Sequence, residues 1–338
     1  MVNDNIFLEN GYLNFQAIVD KGCVFNLIIG GRGTGKTFSS LKWEIENDRN
    51  FIFLRKNQVQ LDMVTKPGFS PFEPLNYELG FNVEVKARGQ KMAVVTHNNL
   101  EIGYMLALSA ISGIRGFDAS SVEDLIYDEF IHELHEKPMK GEFEAFANAY
   151  ETINRNRELN GRDPVRCYLL ANSNSLESDI LLGLNLVETL RRMRKKGKQT
   201  YIDSKRSILV VDLFSSPISR AKKNTALYRL TAGSDFASMA LDNEFSHDNT
   251  DKIKSMPLNE YILEVEVGEL YFYRHKSRRE YYISFQKRGS GKEYIEPMGE
   301  GKKRLNRQYG KYYTAHVNNK ILFENMTAKI LFEKYFST

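Results

Sequence analysis

The chain has 338 residues, of which 42% are hydrophobic, 27% charged and 12% aromatic. That composition can build cores, and it excludes a largely disordered or collagen-like chain. At about 150 residues per domain the length suggests roughly two domains. No stretch approaches the roughly 18 uncharged apolar residues of a membrane helix, so no membrane partner is expected. The acidic start MVNDNIFLEN lacks a basic n-region, and no signal peptide is expected. Two cysteines, Cys23 and Cys167, supply neither a disulfide framework nor a zinc site by themselves, which fits a reducing cytoplasm.

The apolar run CVFNLII at 23–29 reads as a buried strand. GGRGTGKT follows it, and then the helix-compatible FSSLKWEIEN. FIFLRK at 51–56 is a second strand, and 61–80, rich in Pro, Gly and Phe, reads as an irregular excursion. FNVEVKA and KMAVVTH flank Arg88-Gly89-Gln90 as a hairpin. Further strands fit 101–109 and LIYDEF at 125–130, and GEFEAFANAYETINRNREL at 141–159 has helical spacing. VRCYLLANSNS at 165–175 is a strand running into a polar loop.

This alternation predicts an α/β domain with a mostly parallel sheet. Residues 186–245 read as helical and polar. From 260 the chain alternates as antiparallel hairpins, and KILFENMTAKILFEKYF closes as a helix or a strand plus helix. The expected division is 1–186, an α/β domain; 187–245, a helical linker; and 246–338, a basic α+β domain.

The formal net charge of +4 hides an asymmetry. Residues 271–338 hold 15 Lys/Arg against six Asp/Glu, while the rest of the chain is net acidic. Tyr and Phe are interleaved with those cations, a pattern suited to phosphates and flat bases. A second cluster, Arg191, Arg192, Arg194, Lys195, Lys196 and Lys198, lies mid-chain. A solvated face is the simpler account of the mid-chain run and an equal alternative for the tail.

Gly30-Gly31-Arg32-Gly33-Thr34-Gly35-Lys36-Thr37 matches G-x-x-x-x-G-K-[ST] completely. Glycines let backbone N–H groups wrap phosphates, and the following helix points its positive end at them. Lys36 should reach the β/γ oxygens of ATP and the Thr37 hydroxyl should ligate Mg²⁺. Asp128, at the tip of Leu125-Ile126-Tyr127, is placed as the second magnesium-holding carboxylate. Glu129 beside it is placed as a general base on water.

Arg155 and Arg157 follow on a helix. Either one stabilises transition-state charge, or both are surface arginines paired with Glu151 or Glu158. Asn172 ends its strand where it could sense the γ-phosphate, although strands also end in Asn simply to turn. His132 and His135, with no third ligand, make a poor metal site.

GGRGTGKT, LIYDEFIHE, the NRNRE segment and VRCYLLANS, in this order and spacing, resemble the DNA-packaging ATPases of small tailed phages related to phi29. The likeness covers about residues 20–180 and extends more loosely to Leu241-Asp242-Asn243-Glu244-Phe245. It implies an α/β P-loop core of the additional-strand, catalytic-glutamate type, a small helical linker, and a C-terminal domain resembling a ribonuclease-H-type nuclease that has lost its chemistry. It also implies a homo-oligomeric ring, typically a pentamer, which sits on the portal (connector) of a procapsid and translocates double-stranded DNA. A structural RNA is a further candidate partner.

The expected location is the host cytoplasm, transiently at the portal vertex and not in the mature virion. By the same resemblance Arg155 matches an intersubunit arginine and Asn172 a sensor-like residue. Arg115, between Gly113 and Gly116, matches a second basic residue suspected of acting in trans. Asn160-Gly161-Arg162-Asp163 departs from the pattern as an insertion.

Glu264 and Glu266 fall on one face of an alternating strand, but the last 69 residues hold only six acids, all Glu. That favours binding over cutting. Lys56, Arg88 and Lys91 are candidates for DNA contact by loop position. A helicase or recombination ATPase on the same core, and an ATP-switched nucleic-acid-binding assembly factor, remain as alternatives.

Overall fold

The computed structural model describes residues 5–66, 68–114, 118–133, 136, 138–173, 175–234 and 250–336. They form two compact units. Within the described residues, the first takes in 5–184 and 190–234, the second 185–189 and 250–336.

The first unit is built on a nine-stranded sheet. Its strands are β1 (Phe25–Gly30), β2 (Phe51–Arg55), β3 (Val83–Ala87), β4 (Met92–His97), β5 (Leu100–Ala107), β6 (Asp124–Asp128), β7 (Arg166–Asn172), β8 (Thr200–Asp203) and β9 (Ile208–Asp212). The order is β3-β4-β5-β2-β6-β7-β1-β9-β8. From β5 to β9 every pairing is parallel, and antiparallel pairs occur only at the two edges. The central strands are near-continuous apolar runs because helices cover both faces of a parallel sheet. Phe51, Phe53, Tyr127 and Tyr168 are fully buried there, each of the two phenylalanines contributing about 1.5–3 kcal/mol by leaving water.

β7 lies between β1 and β6, so the strand that feeds the glycine loop and the strand that carries the acids are separated by an intervening one. The register sets Gly30 against Asn172 and Asp128 against Leu170. Parallel strands point their carboxyl ends the same way, and these residues therefore meet along one edge.

The structure differs from the sequence expectations in three places. The stretch read as an irregular excursion holds two helices, Gln58–Val64 and Glu73–Leu79. The Asn57 side chain caps the first, and Pro74 sits at the start of the second, where its missing N–H costs nothing.

The expected helical linker begins with a helix, Val187–Lys195, but the chain then returns to the sheet as β8 and β9. ILVVD at 208–212 is itself a buried apolar run, and it outweighs the polar character of its surroundings. Leu241–Phe245 lies outside the described residues.

The second unit carries a five-stranded sheet of order β13-β10-β11-β12-β14. These are β10 (Tyr261–Val267), β11 (Leu270–His275), β12 (Tyr281–Ser284), β13 (Tyr294–Ile295) and β14 (Ile321–Phe323). β10 to β12 form an antiparallel meander, and β13 and β14 pair in parallel at its edges. The third difference is a 19-residue helix, Gly299–Val317, which the sequence reading left within the basic tail. It buries Leu305, Tyr309, Tyr312 and Ala315, and a final helix, Met326–Phe336, packs in the same core.

In the first unit, β5 approaches β2 closely at Gly103, where an added Cβ would stand 2.4 Å from the Phe51 carbonyl oxygen. Gly103→Ala should therefore cost about 1–3 kcal/mol through backbone displacement. A urea titration should show a lower midpoint at unchanged slope; an unmoved midpoint would contradict this register.

Candidate functional site

Gly30 ends β1, and the chain then turns through Gly31–Thr34 into the Lys36–Glu46 helix. Gly35 caps that helix at φ +88°, a left-handed conformation that a side chain would strain. The helix thus presents its free N–H groups to the same edge of the sheet.

Lys36 Nζ donates to the carbonyls of Gly30 and Gly31, each at 2.9 Å, and to Asn172 Oδ1 at 3.2 Å. Thr37 Oγ1 donates to the Asp128 carboxylate at 3.2 Å. A cavity of about 360 Å³ opens here, lined by Arg32, Lys36, Thr37, Asp128, Glu129 and Asn172 among others. The structure thus brings the loop, Lys36, Thr37, Asp128, Glu129 and Asn172 together.

Arg55, which the sequence reading missed, completes the cluster. Its guanidinium spans both acids, 3.0 Å from Asp128 Oδ2 and 2.6 Å from Glu129 Oε2. The available signal was a cation ending an apolar strand, FIFLR, with Lys56 directly after it. The β2–β6 register sets Leu54 against Tyr127, which brings Arg55 level with Asp128. Glu129 adopts φ +58°, uncommon for a residue with a side chain, at the turn where the strand ends.

Burial dominates the electrostatics. It pushes the Asp128 carboxyl up from its ordinary value, while Arg55 and Lys36 pull the other way. Glu129 is raised for the same reason, against Arg55. Burial lowers Lys36 to about 8, against the attraction of Asp128.

Arg155 stands elsewhere. It follows the Glu142–Asn154 helix, which runs from the acid end of β6 back toward the start of β7. Arg157 beside it is buried and donates to the carbonyls of Ala119 and Ser120, just ahead of β6. Arg155 also acts on Asp118, whose carboxyl is held below its ordinary value chiefly by bonds from Ser120. Arg155 is thus at the opposite end of a five-residue strand from the cavity, a separation of roughly 17 Å at about 3.3 Å per residue. Its backbone, φ +51° and ψ −136°, is a sparsely populated conformation.

Lys56 needs correcting as a DNA-contact candidate. It is 3% exposed and ion-paired with Glu142 at 3.4 Å, so it is a core residue. Arg88 and Lys91 are exposed at the β3–β4 turn, with Arg88 facing Glu101. Arg115 and His135 lie outside the described residues. No group of three or more His, Cys, Asp or Glu that could hold a metal occurs among the described residues. Thr37 and Asp128 offer adjacent hard oxygens, which suits Mg²⁺ completed by phosphate and water.

In the second unit, the register of β10 against β11 slips between Leu263 and Val265. Glu264 turns to Lys311 Nζ at 2.5 Å and the Tyr312 hydroxyl at 2.9 Å, while Glu266 pairs with Lys287 at 2.7 Å. The slip breaks the alternation that would have put the two acids on one face.

Residues 9–269 match the sequence profile of the Podovirus DNA encapsidation protein (Gp16) family. The DNA packaging protein of Bacillus phage B103 is 26% identical over 231 residues, 67% of this chain and 65% of that protein. The DNA packaging protein of Bacillus phage phi29 is 26% identical over 243 residues, 70% of this chain and 67% of that protein. The matched segment thus spans about two thirds of these relatives.

Among solved structures, the chain is similar to one from the bacteriophage Phi-29 viral genome packaging motor assembly, with a TM-score of 0.67 and 20% identity over 98% of this chain and 99% of that one. It is also similar to the Phi-28 gp11 DNA packaging motor, with a TM-score of 0.66 and 19% identity over 97% and 98%. At such identity the likeness is one of fold.

The lowered Lys36 value has a measurable consequence. A polyphosphate needs the ammonium form, which is lost as pH rises through about 8. Triphosphate affinity should therefore fall about tenfold between roughly pH 7 and 9. Calorimetric titration checks this, and the slope should vanish in Lys36→Ala.

Proposed function

The chain belongs to the Podovirus DNA encapsidation protein (Gp16) family, and on that premise we propose that it is an ATP-hydrolysing motor that drives double-stranded viral DNA into a procapsid. The observation that carries this reading is the convergence of Lys36, Thr37, Asp128, Glu129 and Asn172 on one cavity behind a complete glycine loop.

In this reading the loop N–H groups and Lys36 hold the β- and γ-phosphates. Thr37 and Asp128 would hold Mg²⁺, which when bound neutralises phosphate charge. Asn172 keeps Lys36 aimed at the terminal phosphate. Glu129 takes a proton from the attacking water, and its burial brings its pKa closer to the working pH, as suits a general base. Arg55 fixes the orientation of both carboxylates.

Arg155 serves the nucleotide of a neighbouring subunit, because its own cavity is a strand-length away. That requires a ring in which each site is completed by the next protomer. Five subunits and a portal-mounted assembly follow from the family reading, with a structural RNA as a further partner. The host cytoplasm is where such a ring would assemble.

The second unit supplies nucleic-acid or portal binding. Its antiparallel meander with a parallel strand beside β10 supports descent from a ribonuclease-H-type fold. The ion pairs that engage Glu264 and Glu266 support loss of cleavage.

ATP turnover, with and without duplex DNA and with the oligomeric state determined in the same buffer, is the test. Duplex DNA should stimulate turnover of many ATP per bound molecule. Lys36→Ala should abolish it, and Glu129→Gln should still bind ATP while turnover falls by at least about a hundredfold. One turnover per binding event would indicate a switch rather than a motor.

A further inference from the structure

β6 and β7 lie on one side of β1 and bring Asp128, Glu129 and Asn172 to the cavity, while β9 lies on the other side. A triphosphate whose terminal phosphate faces those acids leads its nucleoside away from them. Two segments meet the glycine loop apart from the acids.

The first is the turn from Leu8 to Tyr12. Leu13 N–H donates to the Thr34 carbonyl at 3.0 Å, and the Ser39 hydroxyl donates to the Leu13 carbonyl at 3.1 Å. Tyr12 is thereby held against Gly35, where an added Cβ would stand 3.2 Å from its Cδ1, yet 38% of Tyr12 stays exposed. An aromatic ring is left open beside a glycine that offers no side chain to cover it.

The second is the helix Pro217–Lys222, which follows β9. The Ser216 hydroxyl donates to the Gly11 carbonyl at 3.2 Å, tying this helix to the first turn. At its other end Lys222 Nζ donates to the Arg32 carbonyl at 2.7 Å. That nitrogen lies 2.1 Å from where a Cβ on Gly33 would be, so it rests in space that the glycine leaves open. An ammonium keeps donors to spare beyond the one given to Arg32.

We propose that Tyr12 and Lys222 form the nucleoside half of the site. The Tyr12 ring is the platform on which a flat base stacks, and the Lys222 ammonium donates to ribose oxygens. The assignment rests on the reading of the cavity as a triphosphate site. It names two binding residues that no phosphate-loop motif contains, on segments 18 and more residues from the loop's first glycine.

Calorimetric titration of the full chain in Mg²⁺ buffer with ATP and with inorganic tripolyphosphate, which lacks a nucleoside, tests it. Tyr12→Ala should weaken ATP about tenfold and leave tripolyphosphate unchanged within about twofold. Tyr12→Phe should restore ATP affinity, since the stacking face is kept. Lys222→Ala should weaken ATP more than tripolyphosphate.

If Tyr12→Ala weakens both ligands alike, Tyr12 only braces the loop and the assignment is overturned. It is also overturned if Tyr12→Ala leaves ATP affinity intact. An unaltered chain that binds neither ligand overturns the triphosphate reading itself, and the subsite with it.

Discussion

The common polarity of β2, β6, β7 and β1 is the constraint on which the rest depends. In a parallel sheet every carboxyl end faces the same way, so residues far apart in sequence share an edge. Gly30, Arg55, Asp128 and Asn172 end these strands; Asp128 and Asn172 line one cavity, Gly30 leads into the loop on its wall, and Arg55 pairs with the acids that face it. The same polarity sends the intervening helix back to the opposite edge, where Arg155 sits. A single geometric fact thus assembles most of the site and removes Arg155 from its own chain's share of it.

Concentrating charge at that edge is costly, and pairing offsets the cost. Lys36, Asp128 and Arg55 are each largely out of water, and each has an opposite charge or carbonyl acceptors within hydrogen-bonding distance. A buried pair costs several kcal/mol when one partner is removed, because the other charge is left stranded. The cluster therefore exchanges partners more readily than it loses them. A polyphosphate that takes up Lys36 and Thr37 replaces bonds they now make to protein atoms. Lys56 and Glu142 form a comparable pair deeper in the core, and the Tyr127 hydroxyl also bonds Glu142.

Much of this was legible in the sequence because the signals were local. The glycine loop, the apolar strands and the acids at a strand tip each occupy a few consecutive residues, and the structure brings them together. The β3–β4 hairpin and the β10–β12 meander follow from alternation of the same kind. What escaped was written across distance or masked by composition.

Arg55 gains its meaning only from the register with β6. Lys56, one residue on, looks like a loop cation until Glu142 is seen to approach it. The Gly299–Val317 helix has an apolar stripe at Leu305, Tyr309 and Tyr312, but Gly299, Gly301 and Gly310 and a dense run of cations obscure it. The slip at Leu263/Val265 defeats any inference from strict alternation.

The proposed division of the site between protomers is tested most directly by mixing two inactive variants. Glu129→Gln keeps its arginine but not its base, and Arg155→Ala keeps its base but not its arginine. Co-assembled in equal amounts, they should regain about a quarter of the unaltered ring's DNA-stimulated turnover, since an intact base then meets an intact neighbouring arginine at that share of interfaces. Mixtures that stay inactive at every ratio, in rings shown to contain both variants, would contradict the account.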